Sequence, residues 1–252
     1  MGVLDNRIAI VTGASSGIGK VVALEFAKQG ASLVVCARRT EKLEELVEEI
    51  GAAGGKAVAV SCDVAREEDI AKVVDKTIET FGTVHILANI AQGNMGDMTY
   101  LTEVDVQGAL DSYISGPVQS MLFMQKCFPY MKEQNYGRII NTASHAALFG
   151  EKGFAAYNMA KGAVMALTRV ASQEWAIHGI VTNTILPVVR TEAYDMTQQG
   201  KDFADYLTTA IPTGRFSPPE DIVSSFTLLA SEGASYINGQ SLGLDGGWHL
   251  IA

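Results

Sequence analysis

The sequence predicts a doubly wound α/β fold: a parallel sheet of about seven strands with helices on both faces, in a single domain spanning residues 1–252. Three observations lead there. Short β-rich apolar runs alternate with longer stretches of helical period along the whole chain. The runs are apolar on both faces, as strands covered from above and below must be. No linker, low-complexity tract or repeat interrupts the alternation. At 48% apolar over 252 residues, the chain can bury enough surface to offset the entropy of ordering it, which excludes wholesale disorder.

Strands are expected at 7–11, 32–37, 56–61, 84–88, 137–143, 180–186 and 240–244. Between them, Leu43, Leu46, Val47 and Ile50 recur at i, i+3, i+4 and i+7, and Ile70, Val73, Val74, Ile78 and Phe81 nearly so, giving each segment one apolar stripe to lay on the sheet. Further helices are expected at 20–29, 40–51 and 155–175. The stretch 187–219 has no clear strand but carries Tyr194, Phe203, Tyr206, Leu207 and Ile211. An insertion after a late strand lies over the carboxyl ends of a parallel sheet, where ligands bind, so 188–219 is expected to form a substrate lid; a surface helical excursion is the alternative.

The first strand runs into Thr12-Gly13-Ala14-Ser15-Ser16-Gly17-Ile18-Gly19 and then a helix. Glycines at 13, 17 and 19 allow a tight turn, close approach to a pyrophosphate and close packing of helix on sheet, while the helix N-terminus offers free N–H groups to the anion. The second strand ends in Ala37, Arg38 and Arg39 where a carboxylate would bind a free ribose 2′-hydroxyl. Arginines there favour a 2′-phosphate, hence NADP over NAD; the alternative is two solvated charges. Asp63, past the third strand, is placed to meet the adenine, or else to cap a helix.

Tyr157 and Lys161 are four residues apart in a helical stretch and leave the same face, with Ser144 at the close of the fifth strand. A free phenol has a pKa of about 10. A nearby ammonium and an oxidised nicotinamide both favour phenolate, so the tyrosine can exchange a proton with an alkoxide while the serine holds the substrate oxygen.

On these residues the chain resembles the short-chain dehydrogenase/reductase family over nearly its whole length. Asp63, Asn89, Ala91, Asn183, Pro187, Thr191 and the closing Leu244-Asp245-Gly246-Gly247 add to the match. The resemblance implies a Rossmann-type domain and hydride transfer between a nicotinamide and a carbonyl or secondary alcohol. Tyr157 would be the acid/base, Ser144 would orient the substrate oxygen, and Lys161 would hold the nicotinamide ribose and lower the tyrosine pKa. The nucleotide is expected against Gly13, Ser15, Ser16, Gly17, Ile18, Gly19, Arg38, Arg39, Asp63, Val64, Asn89, Ala91, Tyr157, Lys161, Pro187, Val189 and Thr191.

Three positions depart from the family pattern. Asn89-Ile90-Ala91-Gln92 replaces Asn-Asn-Ala-Gly, Gly116 falls where an asparagine holding a relay water is usual, and Val188 replaces a glycine. Ser115 and Gln119 are alternative holders of that water. Gln92, His145, Phe154 and Tyr194 are candidate substrate contacts, and Met95, Met98, Phe149, Met196 and Tyr206 also belong to segments expected near the mouth. Such a lining suits a flat, apolar substrate: aromatic, alicyclic or steroid-like.

With 28 acidic against 19 basic residues and a net charge of −9, nucleic acid is not an expected partner. No run reaches the roughly 18 apolar residues of a membrane span. The early first strand leaves no room for a leader, so a cytoplasmic protein is expected. Cys36, Cys62 and Cys127 are odd in number and read as buried reduced thiols. His85, His178 and His249 show no ligand spacing, so no metal is expected. The family resemblance implies a homotetramer or homodimer through 121–131 and 163–175. The leading expectation is an NADP(H)-dependent ketone reductase or alcohol dehydrogenase, with a 3-oxoacyl thioester reductase or a nucleotide-sensing binding protein of little turnover as alternatives.

Overall fold

The computed structural model describes residues 2–93, 99–195 and 198–249. Seven parallel strands form one sheet in the order β3-β2-β1-β4-β5-β6-β7. They are β1 (Ile8–Thr12), β2 (Ser32–Ala37), β3 (Lys56–Ser61), β4 (Ile86–Asn89), β5 (Gly137–Thr142), β6 (Ile180–Pro187) and β7 (Ser241–Leu244). The helices are α1 (Gly17–Lys28), α2 (Thr40–Ala52), α3 (Glu67–Phe81), α4 (Val106–Tyr113), α5 (Gln119–Glu133), α6 (Ala146–Phe149), α7 (Ala155–Glu174), α8 (Glu192–Asp195), α9 (Gln198–Ala210) and α10 (Val223–Ala230).

Period-two alternation divides the core. Ala9, Val11, Leu33 and Val35 point to one face and meet Val22, Phe26, Leu43, Leu46 and Phe226 from α1, α2 and α10. Ile10, Val34 and Cys36 point to the other and meet Val73, Phe123, Cys127 and Ala171 from α3, α5 and α7. Both faces of the central strands are therefore spent on helices, as their unbroken apolar runs require. Cys36, Cys62 and Cys127 are buried free thiols.

Strand order reverses between β1 and its neighbours β2 and β4, opening a crevice at their carboxyl ends. The Thr12 hydroxyl closes the inner side, accepting from the backbone N–H of Ile90 and of Ala91 at 2.9 Å each. The expected lid is helical: α8 and α9 pack Tyr194, Phe203, Ala204, Leu207 and Ile211 on Val188, Phe216 and Trp248, a small core of its own. Between α4 and α5 the helix widens into a π turn over Ile114–Val118, which accommodates Pro117 and its missing N–H. Among the described residues no helix is long and apolar enough to cross a membrane.

Candidate active site

The glycine turn is built for close approach. Gly13 has φ +68, and a Cβ there would stand 3.0 Å from the Ala91 backbone. At Gly19 a Cβ would lie 2.3 Å from the Gly13 carbonyl oxygen, so only glycine lets α1 start against the strand it follows. Ser16 is the N-cap of α1 but makes no side-chain cap bond, which leaves the helix's first N–H groups for an anion. Across the turn, the Thr191 methyl group would be 3.4 Å from a Cβ at Gly17. Ile18 packs into the core beneath the turn. Asn89 adds a buried carbonyl oxygen, Oδ1, with no hydrogen-bond partner, while its amide donates to Asn141 at 2.9 Å. Free helix amides, a glycine cradle and an orphaned acceptor together fit a nicotinamide dinucleotide.

The two arginines differ. Arg39 reaches back over the turn, its guanidinium donating to Ser15 Oγ at 3.0 and 3.2 Å and to Ser16 Oγ. Arg38 is exposed and makes no polar contact among the described residues. Asp63 does not cap α3, whose N-cap is Arg66; its Oδ1 instead accepts from the Ala65 N–H at 3.0 Å in the turn after β3. Beside it, Val64 packs against the second core.

Ser144, Tyr157 and Lys161 converge at the carboxyl ends of β5 and β6. Ser144 Oγ accepts from the Ala146 N–H at 3.2 Å, which sets the side chain at the entrance to α6. Lys161 is 3% exposed; its Nζ donates to the Thr142 carbonyl at 2.8 Å and lies 5.6 Å from the Tyr157 ring centroid. Burial lowers its pKa to about 7. Tyr157 stays partly exposed. Burial of the phenol raises its pKa and the Ser144 hydroxyl beside it pulls the other way. The net shift of the phenol is upward, against the lowering expected from Lys161.

The structure accounts for two of the sequence departures. The Gln92 side chain reaches the space beside Gly116: a Cβ there would be 3.2 Å from Gln92 Oε1. Gln92 Nε2 donates to Ser115 Oγ at 3.2 Å, while Oε1 is buried without a partner. Gln119 Nε2 donates to the Ala91 carbonyl at 3.2 Å. Val188 turns its added bulk into the lid core. Val189 joins the main core, and Pro187 ends β6 beside them.

Of the substrate candidates, Tyr194 sits in the lid close enough to Tyr157 for that phenol to add to the upward pull of burial on its own pKa. Phe154 precedes α7 and bridges to Thr99. Met95, Met98 and Met196 lie outside the described residues. His145 is 1% exposed and stands 3.4 Å, Nε2 to Oδ2, from Asp245. His249 lies beside His145 as well. Its ligand atom, with those of His145 and Asp245, falls in one cluster within 4.8 Å, a grouping about a hundred residues apart in sequence that local spacing hides.

The family described as enoyl-(acyl carrier protein) reductase matches residues 13–249. The chain is a short-chain dehydrogenase/reductase. This family of oxidoreductases uses nicotinamide cofactors. The chain is 34% identical to the (2S)-[(R)-hydroxy(phenyl)methyl]succinyl-CoA dehydrogenase subunit BbsD of Thauera aromatica, covering 99% of both chains. It is also 34% identical to the cyclohexanol dehydrogenase of an Acinetobacter strain, over 97% of this chain and 95% of the relative. Among solved structures it resembles YwfH, an NADPH-dependent reductase involved in bacilysin biosynthesis, with TM-score 0.91, 26% identity and coverage of 98% and 99%.

Proposed function

We propose that this short-chain dehydrogenase/reductase is an NADP(H)-dependent enzyme that interconverts a carbonyl and a secondary alcohol on a largely apolar, ring-bearing substrate. One observation carries the reading: a partly exposed Tyr157 phenol with the Ser144 hydroxyl beside it and a buried Lys161 behind, at the sheet edge where the glycine turn opens. The turn from Gly13 to Gly19, Arg38, Arg39, Asp63, Asn89 and Thr191 would hold the nucleotide, which when bound supplies or accepts the hydride. In reduction Tyr157 gives its proton to the forming alkoxide; burial favours the neutral phenol this requires. Ser144 directs its hydroxyl toward the same oxygen and lowers the barrier to charge developing there. In oxidation Tyr157 must act as phenolate, the form that Ser144 and a charged Lys161 favour.

Arg39, braced on Ser15 and Ser16, supports a 2′-phosphate site, and the likeness to an NADPH-dependent reductase agrees. Tyr194, Phe203 and Phe216 in the lid support an apolar ring, as do relatives named for phenyl and cyclohexyl substrates. The CoA thioester in one relative's name favours a second reading, an acyl thioester substrate. For assembly we propose a homotetramer or homodimer, now through α4 and α7. Val106, Leu110, Met159 and Val170 are exposed there, whereas Phe123, Met124, Cys127 and Met131 of the expected 121–131 surface are used up in the chain's own core. A cytosolic setting is supported by the three free thiols.

Fluorescence titration with NADPH and NADH, followed by turnover on cyclic, aryl and steroid ketones and a 3-oxoacyl thioester, tests the proposal. Tighter NADPH binding and oxidation by ring ketones is the expected result. Turnover of the thioester alone establishes the second reading, and binding without turnover across the panel leaves a nucleotide-binding protein.

A further inference from the structure

We propose that His145, Asp245 and His249 form a site for one divalent transition-metal ion of the Zn²⁺ class, which clamps the turn after β5 to the carboxyl-terminal turn. The proposal does not depend on the substrate reading.

The geometry is close to that of a ligand set. One donor atom from each residue lies within 4.8 Å of the others, and His145 Nε2 is 3.4 Å from Asp245 Oδ2. Two ligands each about 2.1 Å from a tetrahedral ion stand roughly 3.4 Å apart, so this pair is already at the right separation. The His249 nitrogen lies no more than 4.8 Å from both and must move closer to complete the set.

The polar accounting points the same way. Both ring nitrogens of His145 and Nδ1 of His249 are buried with no hydrogen-bond partner. Buried imidazoles normally have such partners, and three orphaned nitrogens around one carboxylate call for something to bind them. A protonated His145 would face Asp245 and the Leu186 backbone, yet it would leave the His249 nitrogen idle.

Asp245 is held in place by its own turn. Its Oδ1 accepts from the Gly247 N–H at 2.9 Å and its Oδ2 from the His249 N–H at 2.7 Å. The turn depends on Gly246 at φ +65, where a Cβ would come 2.5 Å from Thr213 Oγ1. Such second-layer bonds orient a ligand before the ion arrives. Phe149 stacks on the His249 ring, with the ring centroids 4.0 Å apart. Two imidazole nitrogens and one carboxylate oxygen suit Zn²⁺ or Co²⁺ rather than Mg²⁺ or Ca²⁺. Because His145 follows Ser144 directly, an ion here would also steady the serine from behind.

The test titrates tag-free, chelator-stripped protein with Co²⁺ and records its visible ligand-field bands. One equivalent should saturate with the intense bands of a four- or five-coordinate ion, Zn²⁺ should bleach them, and Zn²⁺ should raise Tm. His249→Gln should weaken Co²⁺ binding by more than the roughly 10–100-fold that loss of an outer-layer partner costs, and His178→Gln should not change it. His145→Asn provides a second variant. The proposal is overturned if wild-type protein shows no saturable one-equivalent binding, or if binding survives unchanged in His249→Gln.

Discussion

Replacing Lys161 with methionine should make the protein more stable and inactive at once. The ammonium is 3% exposed, and burial lowers its pKa from 10.5 to about 7. Each tenfold change in an acid constant is worth about 1.4 kcal/mol, so burying the charge disfavours the folded state by roughly 5 kcal/mol below pH 7. Between pH 7 and 10.5 the unfolded chain binds the proton that the folded chain releases, so wild-type stability rises with pH through that window. At pH 9 only about 2 kcal/mol of the penalty remains. Methionine removes the charge but also strands the Thr142 carbonyl, now bonded at 2.8 Å, at a cost of about 1–3 kcal/mol. The expected net gain is therefore roughly 2–4 kcal/mol at pH 6 and near zero at pH 9. Urea unfolding of both proteins at one fixed concentration and two pH values measures this. A variant less stable than wild type at pH 6, or a difference that does not shrink by pH 9, would refute the reasoning.

Other expectations follow from the same geometry. Arg39→Asp should lower kcat/KM for NADPH relative to NADH by about 10–150-fold, the value of one charge-assisted bond, while Arg38→Asp has a smaller effect; equal ratios in wild type and Arg39→Asp would remove the phosphate role. His85 is held neutral, its pKa lowered to about 4 mainly by burial, and its Nδ1 accepts from the Ile8 N–H at 3.1 Å. Wild-type stability should therefore fall as pH drops from 6.5 toward 4, and His85→Asn should flatten that slope in thermal melts. Leu110→Glu, on the exposed α4 surface, should shift light-scattering mass toward a smaller assembly; an unchanged mass would place the interface elsewhere.

The sequence showed the fold well where one rule acts alone. Strands 32–37 and 56–61 match to the residue: the first is an apolar run buried on both faces, and the second is a half-buried edge strand whose apolar run still stands out between polar ends. The α4–α5 region was less legible: Gly116 and Pro117 break the helical pattern, and only a π turn carries the helix across them. An apolar stripe such as that of 121–131 does not say whether it faces a partner or the sheet; Phe123, Met124, Cys127 and Met131 face the sheet. Tyr157, Lys161 and Ser144 were readable because helix spacing and strand ends place them. Which arginine braces the glycine turn depends on side-chain conformation, and the meeting of His145 with Asp245 and His249 depends on the ends of β5 and β7 reaching each other across β6. Neither is written in local spacing.

Proton transfer at Tyr157 is the centre of this account, and the Tyr157→Phe variant tests it most directly. Removing one oxygen should leave NADPH affinity within about twofold and lower ketone turnover by the roughly 10²–10⁴-fold that general acid catalysis contributes. Turnover equal to wild type, with nucleotide binding intact, would contradict it.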